Sequence, residues 1–192
     1  MGASSLVLAS ASPRRAELMQ EAGFAFEIVA PEVDEAHDES LSCEDLTIAN
    51  ARDKALAVAQ QRPDCVVIGA DTLVYLQGIP FGKPRDMADA AGMLRRLSGH
   101  THQVCTGVAL VARGGEVQQC FHVISDVTFK PLTDATIQDY HSRIQPLDKA
   151  GAYAVQDESA LIIEKVEGSW SNVKGLPMER LVTELASFQF RL

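Results

Sequence analysis

Cys65-Val66-Val67-Ile68-Gly69-Ala70-Asp71-Thr72 decides the fold: a wholly apolar run is followed at once by a carboxylate and a hydroxyl. An apolar segment this short reads as a strand covered on both faces, the kind found inside an α/β sheet. In such sheets ligands gather beyond the carboxyl ends of the strands, so Asp71 and Thr72 are expected at that end. A carboxylate there loses hydration and calls for a cation or hydrogen-bond donors. Read alone, Asp71 fits a turn or a helix N-cap equally well.

Upstream, Leu6-Val7-Leu8-Ala9 is a second apolar strand, and Ala16, Leu18, Met19 and Ala22 mark a helix closed by Gly23. Between them Ser12 suits the N-cap and Pro13 the first helical turn. A strand over Phe24 to Val29 leads to an acidic connector, Pro31 to Glu44, with Glu32, Asp34, Glu35, Asp38 and Glu39, which reads as a mobile loop. The next helix carries an apolar stripe, Ile48, Ala51, Ala55 and Val58, with Lys54 at its border. Downstream, a hairpin through Gln77-Gly78 reaches Gly82-Lys83-Pro84-Arg85-Asp86, and a helix follows through Ala90, Met93, Leu94 and Leu97. Two long β runs, Thr101 to Ala112 and Glu116 to Lys130, meet at Gly114-Gly115 as an antiparallel hairpin. A helix over Asp134 to Arg143, a loop through Asp148-Lys149-Ala150-Gly151, a strand over Leu161 to Val166 and a helix after Gly175-Leu176-Pro177 complete the chain. With no internal repeat and no linker, residues 1–192 read as one α/β domain in two lobes.

The chain has 192 residues, 46% of them apolar and 22% charged, which fits a compact globular protein. Its net charge of −9 opposes binding to a nucleic-acid polymer, whose affinity comes from neutralised phosphates. A small phosphorylated ligand is compatible with that charge, because a few clustered cations suffice for it. Cys43, Cys65, Cys105 and Cys120 form no C-x-x-C pair, so neither a zinc site nor a disulfide framework is expected. No apolar run has membrane-spanning length, the start lacks a signal peptide's basic and apolar regions, and Leu6 stands where a myristoylation signal after Gly2 needs Ser or Thr. A cytoplasmic location without membrane attachment is the expectation.

Within Ser10-Ala11-Ser12-Pro13-Arg14-Arg15, a helix N-terminus, two hydroxyls and two guanidinium groups form an anion cradle; read alone, they are also a capped helix with two solvated arginines. Gly78-x-x-x-Gly82-Lys83-Pro84 is no Walker A motif, being one residue short with Pro in the Ser/Thr place. Lys83 on that turn and Lys54 on its helix can each reach a phosphate. Glu35 can add an oxygen ligand to Asp71 for a divalent cation, since Mg²⁺ takes one or two carboxylates plus phosphate oxygens and waters. His100-x-His102 shares one strand face, yet no third metal ligand is evident.

Together, Leu8-Ala9-Ser10-Ala11-Ser12-Pro13-Arg14-Arg15, Ile68-Gly69-Ala70-Asp71-Thr72, Gly82-Lys83-Pro84-Arg85-Asp86 and Met93-Leu94-Arg95-Arg96-Leu97-Ser98-Gly99 resemble, in order and spacing, the Maf family of nucleotide pyrophosphatases. The likeness continues through Thr101 to Ala109, Pro146 to Gln156 and Gly175-Leu176-Pro177. It implies a mixed twisted α/β sheet in two lobes around a central cleft, related to the inosine triphosphate pyrophosphatase-like fold, and often a homodimer. It implies that Asp71 is a base, alone or metal-supported, with Glu35, Lys54 and Lys83 around the triphosphate, Ser10, Arg14 and Arg15 gripping it, and Asp71 and Glu35 holding Mg²⁺ or Mn²⁺. Glu32 and Asp34 compete with Glu35 for the metal-side role. Arg14, Thr72 and Gln156 are similar to the branch acting on dTTP and UTP; the branch acting on 7-methyl-GTP tends to place Trp at the position of Arg14. Ala154-Val155-Gln156-Asp157 and Lys174 depart from the family pattern near the expected base pocket. The resemblance also implies a second role, a nucleotide-binding regulator of septum formation.

Overall fold

A computed structural model describes residues 5–36 and 40–187. Gly2, and Asp38 and Glu39 of the acidic connector, lie outside the described residues. The strands are β1 (Leu6–Ala9), β2 (Phe26–Ile28), β3 (Val66–Leu76), β4 (Ile79–Phe81), β5 (Thr101–Ala112), β6 (Glu116–Phe129) and β7 (Ile163–Glu167). They form one seven-stranded sheet in the order β2-β1-β3-β5-β6-β7, with β4 paired to β3. β1 runs parallel to both β2 and β3, and the other pairings are antiparallel, so the sheet is mixed, as expected.

The helices are α1 (Pro13–Glu21), α2 (Cys43–Ala59), α3 (Met87–Leu97), α4 (Asp134–Arg143), α5 (Trp170–Lys174) and α6 (Met178–Ser187). In the first lobe, Ala51, Ala55, Val58 and Ala59 of α2 pack on one face of the sheet against Val7, Val67, Ala109 and Val111. On the other face α1 and α6 bury Met19, Leu181 and Leu185 against Leu8, Ile68 and Leu110. The second lobe gathers Leu94, Leu97, Ile137 and Tyr140 of α3 and α4 over Val104, Val127 and Phe129. Full burial of each such side chain contributes about 2 kcal/mol.

Two glycines set the height of α2 above the sheet. A Cβ on Gly69 would overlap the Ala51 carbonyl oxygen and lie 2.9 Å from Ala55 N and Cβ. One on Gly107 would overlap the Thr47 peptide. The helix backbone therefore rests directly on β3 and β5, close enough for short side chains to reach the strands.

Several expectations are corrected. Asp71 stands in the middle of β3, not at its end, because the strand continues past the apolar run through half-buried Thr72 and Leu73 to buried Val74 and Tyr75, and pairs with β5 as far as Tyr75↔Gln103. The apolar run marked only the part of β3 covered on both faces. α5 was missed because Trp170–Lys174 is too short and polar to show periodicity; Ser169 caps it by accepting from Asn172 N. β7 starts at Ile163, since Ser159–Leu161 form a 3-10 turn, and another such turn occupies Ala150–Ala152. Ser12 holds the N-cap position of α1, yet its side chain accepts no capping bond.

One edge of β3 changes partner along its length. β1 pairs with Val66 through Gly69, and β4 with Val74 through Leu76. Residues 70–73 have no strand partner on that edge. There the chain leaving β1 turns away through Ser10–Ser12 into α1, and the cleft opens.

Candidate active site

The cleft encloses about 620 Å³, within the range of small-molecule sites. Its basic lining is Arg14, Arg15, Lys54, Lys83, Lys149 and Lys174; its acidic lining is Glu35, Asp71 and Asp148. On a chain of net charge −9, this excess of cations marks where an anion is attracted.

Asp71 is only 4% exposed, and both its oxygens are paired: Lys54 Nζ donates to Oδ1 at 2.6 Å and Asn50 Nδ2 donates to Oδ2 at 3.1 Å. Asn50 and Lys54 are one helical turn apart on α2, so both side chains leave the same face toward β3. Lys54 Nζ also donates to Glu35 Oε1 at 2.8 Å, and Lys83 Nζ lies 3.7 Å from that oxygen. The ammonium of Lys54 thus bridges the two carboxylates, compensating charges that burial would otherwise make costly. For Glu35, burial works against ionisation, but the Lys54 hydrogen bond and the charges of Lys54, Lys83 and Arg15 outweigh it and hold its pKa below the ordinary value.

The segment around Glu35 alternates in exposure, with Pro31, Val33 and Glu35 lining the cleft and Glu32 and Asp34 exposed. Three neighbouring acids were equivalent by composition; the structure brings Glu35 alone of them to Lys54.

Arg15 is held rather than free. Its Nε donates to Gly175 O at 2.8 Å, Nη1 to Ser10 Oγ at 3.1 Å and Nη2 to Thr72 Oγ1 at 3.1 Å, which leaves one N–H on each terminal nitrogen. Desolvation lowers its pKa from the ordinary value, with Asp71 opposing. Thr72 Oγ1 lies 2.9 Å from Thr106 Oγ1, which donates to Asn172 O at 3.1 Å. Arg15 only donates, so Thr72 Oγ1 accepts from it, and the Thr72 hydroxyl proton is shared between Thr106 Oγ1 and the Gly175 carbonyl at 3.4 Å. Ser10 and Thr72 therefore orient the guanidinium. Arg14 is partly exposed, 3.6 Å from Asp148. Gln156 is exposed and lines the cleft with Tyr153, Ala154 and Val155.

Asn50 was missed in the sequence, although a polar residue four before Lys54 on a helix with an apolar stripe was a readable signal. Lys149 and Tyr153 fell within the family-like stretch Pro146 to Gln156, but their loop has no periodicity to place them in the cleft. Lys174 is buried and paired with Glu17 at 3.3 Å and Glu21 at 3.4 Å on α1. The histidine pair does not converge: His100 is exposed, whereas His102 is packed against Phe129 and Tyr153, with Nε2 2.8 Å from the Tyr153 hydroxyl. The four cysteines are free thiols, and Thr47 Oγ1 lies 3.4 Å from the buried Cys105 Sγ. Among the described residues no helix is long and apolar enough to cross a membrane.

The family model described as Maf-like protein matches residues 5–188. A dTTP/UTP pyrophosphatase of Akkermansia muciniphila is 42% identical over 186 residues, covering 97% of each chain. One of Bacillus anthracis is 43% identical over 183 residues, covering 95% of each. Among solved structures, the nucleoside-triphosphatase / dITP/XTP pyrophosphatase of Mycobacterium abscessus aligns with a TM-score of 0.43 at 15% identity, covering 95% of this chain and 93% of that one.

Proposed function

The chain belongs to the Maf-like family, and from that premise we propose that it hydrolyses dTTP and UTP between the α and β phosphates, releasing the monophosphate and pyrophosphate. The observation that carries this reading is a buried carboxylate, Asp71, fixed through Lys54 to Glu35 in a cleft otherwise dominated by cations. A site that only bound a polyphosphate would have no use for two carboxylates beside it.

In this reading the triphosphate lies between the α1 turn and Lys83. Arg14, Lys83 and the two remaining N–H groups of Arg15 bind its oxygens and neutralise the charge that develops on the leaving pyrophosphate. Asp71 orients a water for attack on the α phosphorus and takes its proton on a carboxylate oxygen. Lys54 holds Asp71 and Glu35 in place, and the Tyr153–Gln156 wall receives the base.

Asp71 and Glu35 are hard oxygen donors on adjoining elements, a set that fits Mg²⁺ or Mn²⁺. Among the described residues no three His, Cys, Asp or Glu side chains converge, so such an ion would share its coordination with the phosphates. When bound, it supplies Lewis-acid polarisation and charge neutralisation at the phosphate oxygens. A homodimer in the cytoplasm completes the proposal; the four free thiols fit a reducing compartment, and sedimentation equilibrium measures the assembly.

The test is product analysis by chromatography with a panel of nucleoside triphosphates and Mg²⁺ or Mn²⁺, beside Asp71→Asn. Monophosphate and pyrophosphate from dTTP and UTP, lost in the variant, support the proposal. Diphosphate products, or tight binding without turnover, overturn it, and the second outcome leaves the septum-regulator reading standing.

A further inference from the structure

Asn50 is a buried carboxamide, 4% exposed, for which the reaction as described has no chemical use. Its Oδ1 accepts the Ala36 N–H at 2.8 Å, and its Nδ2 donates to the Ala36 carbonyl at 3.3 Å and to Asp71 Oδ2 at 3.1 Å. The reversed amide would set Oδ1 against a carbonyl and a carboxylate, so its orientation follows from its partners. One side chain thus meets both polar groups of one residue in the acidic segment, as a neighbouring strand would, and touches the central carboxylate as well.

We propose that Asn50 is a positioning residue that pins the Pro31–Ala36 segment in register, so that Glu35, and neither Glu32 nor Asp34, is delivered to Lys54 beside Asp71. In an extended segment alternate residues share a face, and a slip of one residue exchanges the two faces. Here such a slip turns Asp34 inward and Glu35 out. The methyl group of Ala36 has no polar handle, so the register signal passes through its backbone, where Asn50 grips both donor and acceptor. α2 reaches both partners with so short a side chain because Gly69 and Gly107 let it lie directly on the sheet.

The kinetic part of this proposal rests on the pyrophosphatase reading; the structural part does not. The experiment combines amide hydrogen exchange at Ala36 with steady-state hydrolysis of dTTP by wild type, Asn50→Leu, Asn50→Ala, Glu35→Gln and the Asn50→Leu/Glu35→Gln double variant. Asn50→Leu is expected to speed Ala36 exchange ~10-fold or more while the central amides of β3 and β5 keep their protection. It is expected to lower kcat by about 10²-fold with KM little changed. Asn50→Ala removes the same three bonds without adding bulk and is expected to speed Ala36 exchange likewise, which gives a readout should Asn50→Leu fail to fold. In the Glu35→Gln background most of the Asn50→Leu effect on kcat disappears, because the two residues act in series. Unchanged Ala36 exchange in the folded Asn50→Leu or Asn50→Ala protein, or the same kcat factor in both backgrounds, overturns the proposal. A wild type without pyrophosphatase activity removes the functional reading alone, and the exchange data still decide whether Asn50 pins the segment.

Discussion

Gly69→Ala adds one methyl group where α2 crosses β3, and the consequence can be worked from the geometry. The new Cβ would overlap the Ala51 carbonyl oxygen and lie 2.9 Å from Ala55 N and Cβ. Ordinary contact between such atoms is 3.5–4.0 Å, so the helix must retreat by about 1 Å. The main obstacle is backbone, and no rotamer change relieves it. Overpacking of this kind lowers stability by about 1–3 kcal/mol, read as a lower urea midpoint by circular dichroism. The same movement acts on the site, because α2 carries Asn50 and Lys54, whose bonds to Asp71 span 3.1 and 2.6 Å. A lengthening of about 1 Å breaks both, and misplacement on that scale lowers kcat by about 10²-fold. Activity is therefore expected to fall far below the folded fraction, assayed as pyrophosphate release from dTTP at a temperature where the variant remains native. A folded Gly69→Ala protein with wild-type kcat and KM would refute the claim that the seating of α2 sets the site.

Arg15→Lys keeps the charge but loses the fork that joins Ser10, Thr72 and Gly175; calorimetry should show a loss of about 2 kcal/mol, accompanied by a higher KM. His102 is 1% exposed, and burial pushes its pKa down from 6.5 to about 4. Between those values the unfolded chain takes up a proton that the native ring refuses. Stability from this group is therefore complete above about pH 6.5, and about 3 kcal/mol is lost as the pH falls to about 4; urea midpoints of His102→Gln should be flatter over that window. Removal of divalent cations by chelation should abolish turnover and Mg²⁺ or Mn²⁺ should restore it, whereas full activity in excess chelator would contradict the carboxylate assignment.

What the sequence made legible followed the range of each signal. Asp71 was conspicuous because a charge directly after a run of apolar residues is locally anomalous, and α4 was read over Asp134–Arg143 from local sequence. The apolar run could not show that β3 continues beyond it, since that extension depends on pairing with a strand some thirty residues further on. Glu35 could not be separated from Glu32 and Asp34, because the choice is made by a contact between Ala36 and Asn50. Ser10, Thr72 and Arg15 were all noticed as site residues, yet that two of them orient the third depends on distances no spacing encodes. For His102 the sequence offered a shared strand face with His100 but no third ligand, and only packing against Phe129 and Tyr153 shows its place.

β3 and β5 pair without interruption from Val67↔Val111 to Tyr75↔Gln103, passing under both lobes. The cleft is thus cut into one sheet instead of lying between two bodies joined by a hinge. To open its floor, ladder hydrogen bonds in the middle of the protein would have to bend or break, so the frame beneath the site resists widening. A nucleotide entering such a slot spends little of its binding free energy on reorganising the protein. Discrimination between bases then falls to the walls as they stand, and the substrate range should change through side chains along Tyr153–Gln156 sooner than through any loosening of the frame.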